Sequence, residues 1–210
     1  MPKKTNKEKK TIVIYKPIEA IESKDNFPND RIDGHDDYWN MYETRRKEID
    51  RWGEKLGSYM KRKHSKTHKI RIVQHCRSTI KVLQGLTAND VVYIHSHGNS
   101  EKVGLRPYGL DHAELASRLE SDGLPKENTP RLKFWSCHSG DPIPGQPDST
   151  LAKEVGFKLK KLGYGKFTTF GYRGKILAVK RVNQKSKQVQ DSNDSTVIER
   201  ARSRRVRNDF

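Results

Sequence analysis

Apolar positions along this chain fall into short blocks separated by long polar stretches, and the period within a block changes from one block to the next. Thr11-Ile12-Val13-Ile14-Tyr15 is a continuous, mostly β-branched run closed by Pro17, which predicts a buried strand. Residues 18 to 37 carry Pro28, Gly34 and many carboxylates and read as a loop. From about Tyr38 to Arg62, Trp39, Tyr42, Ile49, Trp52, Leu56 and Tyr59 recur at helical spacings, predicting a helix that lays one stripe on a sheet. Ile70 to Gln74 reads as a second strand, and a short helix or turn through Ile80 and Leu83 leads to the next block.

The stretch from Asp90 to Gly140 organises the rest. Val91-Val92-Tyr93-Ile94 runs into His95-Ser96-His97-Gly98, and Leu132-Lys133-Phe134-Trp135 runs into Ser136-Cys137-His138-Ser139-Gly140. Between these two strands, Asp111 to Leu119 is an amphipathic helix opening with a capping-box spacing from Asp111 to Glu114. A strand–helix–strand unit predicts parallel neighbours whose carboxyl ends share one edge, where ligands bind in open α/β sheets. A histidine after one strand and a cysteine after the next would then face each other.

Further on, Asp141 to Asp148 contains Pro142, Pro144 and Pro147 and is expected to be an irregular loop lining the functional edge. Ser149 is placed to cap a helix running to about Leu162, with Gly163 ending it. Phe167 to Phe170 reads as a strand, Gly171 to Gly174 as a turn, and Ile176 to Val179 as the last strand. After about Arg181 apolar content collapses; disorder is expected there, or a basic helix from Val197 to Arg207 on a partner. The pattern predicts a three-layer α/β/α sandwich with a mainly parallel sheet. Its expected limits are residues 11–181, between a basic disordered start (1–10) and a basic disordered tail (182–210).

Charge changes the picture of partners but not of fold. With 32% hydrophobic and 33% charged residues and a net charge of +17, the 210-residue chain is expected to attract polyanions such as nucleic acid, acidic lipid or inositol phosphates. No apolar run approaches a membrane span, and the basic start lacks a signal-peptide core, so a chain made in the cytoplasm is expected, with any export not using a cleaved signal. Two cysteines, Cys76 and Cys137, do not make a disulfide framework.

Three chemistries can use His95, His97, Cys137 and His138. In nucleophilic catalysis, Cys137 needs an imidazole such as His97 to set its ionisation and to protonate a leaving group, and the small flanking residues let backbone amides reach an oxyanion. Zinc has enough donors here, but alternation along an extended backbone points Cys137 and His138 apart. The His-Ser-His string resembles the opening of the zinc-dependent deubiquitinase motif, yet Gly98 stands where proline belongs, and Arg106 and Gly109 stand where serine and aspartate belong. No metal is expected. The third option is inert packing of a buried cysteine and histidines.

An apolar strand ending in His97-Gly98, followed 40 residues later by one ending in Cys137, resembles the caspase-like cysteine peptidases of clan CD. The segment from Val91 to Ala178 is most similar to bacterial members, including the self-cleaving peptidase domains of clostridial and RTX toxins; the first 68 residues and the tail are unmatched. The resemblance implies a caspase-like fold and a cysteine endopeptidase acting on a protein or peptide, as an effector delivered into another cell or as a self-processing enzyme. It implies His97 as general base, Cys137 as nucleophile, and the amides of Gly98 and Cys137 as oxyanion hole. No third catalytic residue is assigned: Asp36 or Asp37 could orient His97, but both read first as solvated loop carboxylates. The resemblance further implies activation by inositol hexakisphosphate, for which Lys175, Lys180, Arg181, Lys185 and Lys187 around and after the last expected strand are the candidate ligands, the alternatives being that this cluster binds nucleic acid or nothing; no other cofactor is implied. The rival reading is a non-catalytic member of the same fold that binds nucleic acid or a protein partner through its basic surface.

Overall fold

The computed structural model describes residues 9–18, 35–75, 80–104, 109–177, 187–191, 194 and 196–210. Eleven strands and three helices follow in the order β1 (Lys10–Lys16), α1 (His35–His64), β2 (His68–Gln74), β3 (Val91–His95), α2 (His112–Ser121), β4 (Arg131–Trp135), β5 (Pro142–Ile143), β6 (Gln146–Thr150), α3 (Leu151–Lys161), β7 (Thr168–Tyr172), β8 (Lys175–Ile176), β9 (Gln188–Gln190), β10 (Ile198–Arg200) and β11 (Arg205–Asp209) among the described residues.

Six of the strands form one sheet in the order β11-β7-β4-β3-β1-β2, parallel throughout except for β11. Strands β1, β3 and β4 are buried on both faces, which is why they read as continuous apolar runs rather than as alternating ones. One face packs Val13, Tyr15, Val92, Ile94, Leu132 and Phe134 against α2 and α3. The other packs Ile12, Ile14, Tyr93, Trp135 and Tyr172 against α1, through Leu56, Tyr59 and Met60, and against a small sheet ordered β10-β9-β8. The chain is thus mixed α/β with a mainly parallel central sheet, and one of its covering layers is half helix and half sheet.

The capping box at α2 is present on both sides: the Asp111 carboxylate accepts from Ala113 N (2.8 Å) and Glu114 N (2.9 Å), and Glu114 Oε2 accepts from Asp111 N (2.8 Å). At α3 the expectation shifts by one residue. Ser149 donates its hydroxyl to Glu154, and Thr150 takes the N-cap by accepting from Lys153 N at 3.2 Å.

Two larger expectations are corrected. The proline-rich stretch after Asp141 is a β5–β6 hairpin turning at Gly145 (φ 77°). Proline only removes a donor, and a two-stranded ribbon has outward-facing positions that need none. The expected disordered tail contributes β9, β10 and β11, and neither β10 nor β11 is helical. Strand β11 pairs antiparallel with β7, and Phe210 locks its end: Phe210 N donates to Phe167 O (3.0 Å), and the two rings stack at 5.2 Å. The backbone supplies most of this pairing, so hydropathy did not signal it. The expected strand over Ile176 to Val179 is short, with β8 covering Lys175–Ile176 and residues 178 to 186 lying outside the described ones.

Candidate active site

Strands β3 and β4 are parallel neighbours in a register that sets His95 beside Trp135, so His97 and Cys137 each stand two residues beyond a matched pair. The two side chains line one small cavity together with Trp52, Leu56, Ser96, Trp135 and Ile176. Their approach is held by the backbone. Ser136 Oγ donates to His97 O at 3.0 Å, tying the cysteine loop to the histidine loop. Gly98 leaves room for this, since a Cβ there would lie 2.0 Å from Ser136 Oγ and 2.7 Å from Lys102 O.

The nucleophile loop is itself pinned. Ser139 Oγ reaches Phe134 O and Ser136 O, both at 2.9 Å, closing the turn that follows β4. His138, immediately after Cys137, is the one non-glycine residue with positive φ (59°) among the described residues. That conformation is disfavoured for a side chain and is compensated locally. His138 N donates to Gly174 O at 2.9 Å, His138 Nδ1 lies 2.6 Å from Asp141 Oδ2, and both Asp141 oxygens accept from Gly174 N at 3.2 Å. The loop is thereby clamped to the β7–β8 turn, and the Cys137 thiol faces Ile176 O of β8 at 4.0 Å.

Helix α1 supplies the roof. Trp52 packs on the His97 ring at 5.1 Å between centroids, and Glu48, one turn earlier, places Oε2 3.7 Å from His97 Nε2. That distance is too long for a hydrogen bond, and His97 Nε2 is buried without a partner. Burial depresses the His97 pKa, opposed by the Glu48 charge and reinforced by Arg45 and Lys175. Burial likewise pushes the Cys137 thiol up, against the smaller pull of the Lys175 charge. Both shifts disfavour a thiolate–imidazolium pair in this closed arrangement.

His95 lines the same cavity as His97, but its ring is turned to α1 rather than paired with His97. Its Nε2 is engaged with Ile49 O of α1 at 3.2 Å, and burial lowers its pKa to about 4. Among the described residues no group of three or more His, Cys, Asp or Glu gathers as a metal site. Asp36 and Asp37 fall in the first turn of α1, with side chains outside the described residues; Cys76, Arg106, Lys180 and Arg181 lie outside them entirely. Lys175 is exposed on β8 and acts electrostatically on both His97 and Cys137, so it stands beside the dyad.

The cationic cluster lies elsewhere. Lys187 Nζ donates to Tyr93 Oη at 2.8 Å and lies over the rings of Tyr93 (4.2 Å) and Trp135 (4.7 Å). Lys133 Nζ lies 5.2 Å from the Tyr93 ring centre, and the Arg205 guanidinium 4.4 Å from that of Phe170. Burial holds Lys187 well below the usual lysine range and brings Lys133 down to about 8. The charges acting on the two lysines, from Lys63, Arg131 and Arg205, push the same way. Of this cluster sequence reading named only Lys187, because the members come from α1, β4, β11 and the segment before β9, and none is near another in the chain. It also missed Glu48 and Trp52, whose helical stripe pointed only to core packing.

No helix among the described residues is long and apolar enough to cross a membrane. No protein-family model matches the chain and no curated protein matches it, so its chemistry has to be read from the residues themselves.

Proposed function

We propose that the chain is a latent cysteine endopeptidase of caspase-like fold, with Cys137 as nucleophile and His97 as its base and later acid. The observation that carries this reading is that His97 and Cys137, delivered by adjacent parallel strands, line the same cavity. The Cys137 thiolate attacks a substrate carbonyl, and His97 protonates the departing amine. The amides of Gly98 and Cys137 hold the oxyanion. Glu48 positions the imidazole and favours its charged form once substrate and solvent rearrange the roof. The buried, neutral setting of both groups supports latency: the enzyme acts when Trp52 is displaced and the pair is able to ionise.

The switch fits a polyphosphate. Lys63, Lys133, Lys187 and Arg205 are four cations gathered with no countercharge among those acting on Lys133 and Lys187, a setting that inositol hexakisphosphate would relieve. Trp135 joins this cluster to the dyad, because Lys187 lies over its ring while its side chain lines the cavity of His97 and Cys137. A bound polyphosphate is thereby coupled to the conformation of the nucleophile loop. An effector or self-processing role is in keeping with such a design, in which activity waits for a polyanion.

The test is alkylation of Cys137 by iodoacetamide at neutral pH in a Cys76→Ala background, with and without inositol hexakisphosphate. The expected result is a rate accelerated at least tenfold by the ligand and abolished dependence in His97→Ala, with peptide cleavage lost in Cys137→Ala. A thiol as slow as a model thiol in both conditions would replace this reading with a non-catalytic basic module for nucleic acid or a protein partner.

A further inference from the structure

The order of the central sheet reverses between β1 and β3, and a crevice opens there at the carboxyl ends of these strands beneath α1. Its polar lining is Lys16, Tyr42, Arg46, Asp50, Gln74, His95 and Ser96, with the Gln74 amide already donating to Ile18 O at 3.0 Å. His95 and Ser96 also line the cavity of His97 and Cys137, so the crevice adjoins the dyad through a shared wall. A crevice at a switch point is where an open α/β sheet places its ligands.

The crevice gathers unpaired hydrogen-bonding atoms. Four buried side-chain nitrogens or oxygens lack a partner among the described residues: Arg46 Nε, His95 Nδ1, Ser96 Oγ and, in the neighbouring cavity, His97 Nε2. His95 is 4% exposed and Ser96 7%, so bulk water does not satisfy them. Buried polar groups in native proteins are nearly always paired, and three orphans on residues of one crevice mark a place for an added hydrogen-bonding partner, an ordered water or the polar group of a ligand that displaces it.

We infer that this crevice is the side-chain specificity pocket of the peptidase and accepts a carboxamide, the end of an asparagine or glutamine in a polypeptide substrate. The inference rests on the peptidase reading above. Donors and acceptors select this group. His95 Nε2 lies 3.2 Å from Ile49 O, a carbonyl that can only accept, so Nε2 carries the proton and Nδ1 is left as an acceptor. Arg46 Nε is a donor, and Ser96 Oγ can serve either way. A carboxamide oxygen takes the Arg46 donor while its NH2 group supplies His95. A carboxylate would set a negative oxygen against the lone pair of a histidine that stays neutral down to about pH 4. A guanidinium or ammonium would meet Lys16 and Arg46, whose charges already converge on Asp50 at 2.5 and 3.6 Å. An apolar side chain would leave all three orphans unpaired. Sites built to hydrogen-bond a substrate group reject analogues lacking it strongly.

The experiment uses the full chain in a Cys76→Ala background with inositol hexakisphosphate present, and peptidyl acyloxymethyl ketones that differ only in a terminal glutamine, asparagine, glutamate, arginine or leucine. Cys137 modification is followed by intact mass, with iodoacetamide as a probe blind to side-chain recognition. The expected result is labelling by the glutamine or asparagine probe at least tenfold faster than by the other three. That advantage disappears in Ser96→Ala and in Arg46→Lys, and the iodoacetamide rate of Arg46→Lys, which lies outside the dyad cavity, stays unchanged. Fast iodoacetamide reaction with no carboxamide preference, or a preference untouched by both variants, overturns the pocket and leaves the dyad standing. Failure of Cys137 to react faster than a model thiol with any reagent overturns both.

Discussion

His95 and Gly98 show how much of this site depends on single residues. His95 is held neutral, its folded pKa near 4 against a usual value near 6.5. The unfolded chain therefore takes up this proton first on acidification. The stability it protects is complete above about pH 6.5 and is lost as pH falls toward 4, by up to ~3 kcal/mol. Denaturant midpoints measured across pH 7 to 4 should fall, and the fall should be shallower in His95→Gln, which keeps a donor for Ile49 O. Gly98 is under a steric constraint: alanine there must push aside Ser136 Oγ and the Lys102 carbonyl. Gly98→Ala is expected to cost about 1–3 kcal/mol by overpacking and to uncouple the Ser136–His97 tie. Urea unfolding reports the first effect and Cys137 alkylation the second.

Elements set how these residues meet. The nucleophile loop is held between β4, which carries it, and the β7–β8 turn, which grips it through Gly174. Strand β7 is in turn flanked by β11, so the distal end of the chain braces the loop from the sheet's far edge. Phe210 anchors that brace by stacking on Phe167, meeting Phe157 edge-on at 5.3 Å and covering Gly156, where a Cβ would strike its ring at 2.2 Å. Phe210→Ala should destabilise the domain by roughly 2–4 kcal/mol, less than a fully enclosed phenylalanine because the ring is only half-buried. Removing residues 205–210 should go further and expose the edge of β7. Thermal melting of the two variants checks the order of effects, and equal midpoints to the parent chain would remove β11 from the account.

At the level of the whole molecule, the net charge is +17, and among the described residues Lys63, Lys133, Lys187 and Arg205 act on one another as a concentrated cluster set against the more diffuse remainder. Only the cluster is expected to recognise a polyphosphate at stoichiometric concentration. Melting with equimolar inositol hexakisphosphate should raise the Tm, and the rise should shrink with salt because the gain comes from charge neutralisation. Lys133→Ala and Lys187→Ala should each abolish most of the rise; Lys175→Ala should leave the rise in place but slow Cys137 alkylation, since that lysine acts on the dyad. Lys133, at about 8 without ligand, becomes more fully charged when the anion binds. Binding should therefore take up protons near pH 8 and weaken as pH rises through 8 to 9, which calorimetry in buffers of different ionisation enthalpy detects. A Tm rise reproduced equally by heparin in the lysine variants would assign the effect to the diffuse charge.

What the linear order of residues carried was local and periodic. The runs at Ile12 to Tyr15, Val91 to Ile94 and Leu132 to Trp135, the stripe of α1 and the capping box of α2 all follow from the fit of one residue to its near neighbours. So does the pairing of a His-Gly strand end with a Cys strand end, because one strand–helix–strand unit contains both. Folding in three dimensions brought Glu48 and Trp52 over His97, joined Lys133, Lys187 and Arg205 around Tyr93 and Phe170, and opened the crevice at Arg46, His95 and Ser96. It also recruited β11, whose arginines and asparagine carry no hydropathic signal, through backbone pairing with β7. The difference is physical: secondary structure and caps are decided over a few residues, whereas burial, field and hydrogen-bond complementarity depend on which distant segments the sheet order makes neighbours.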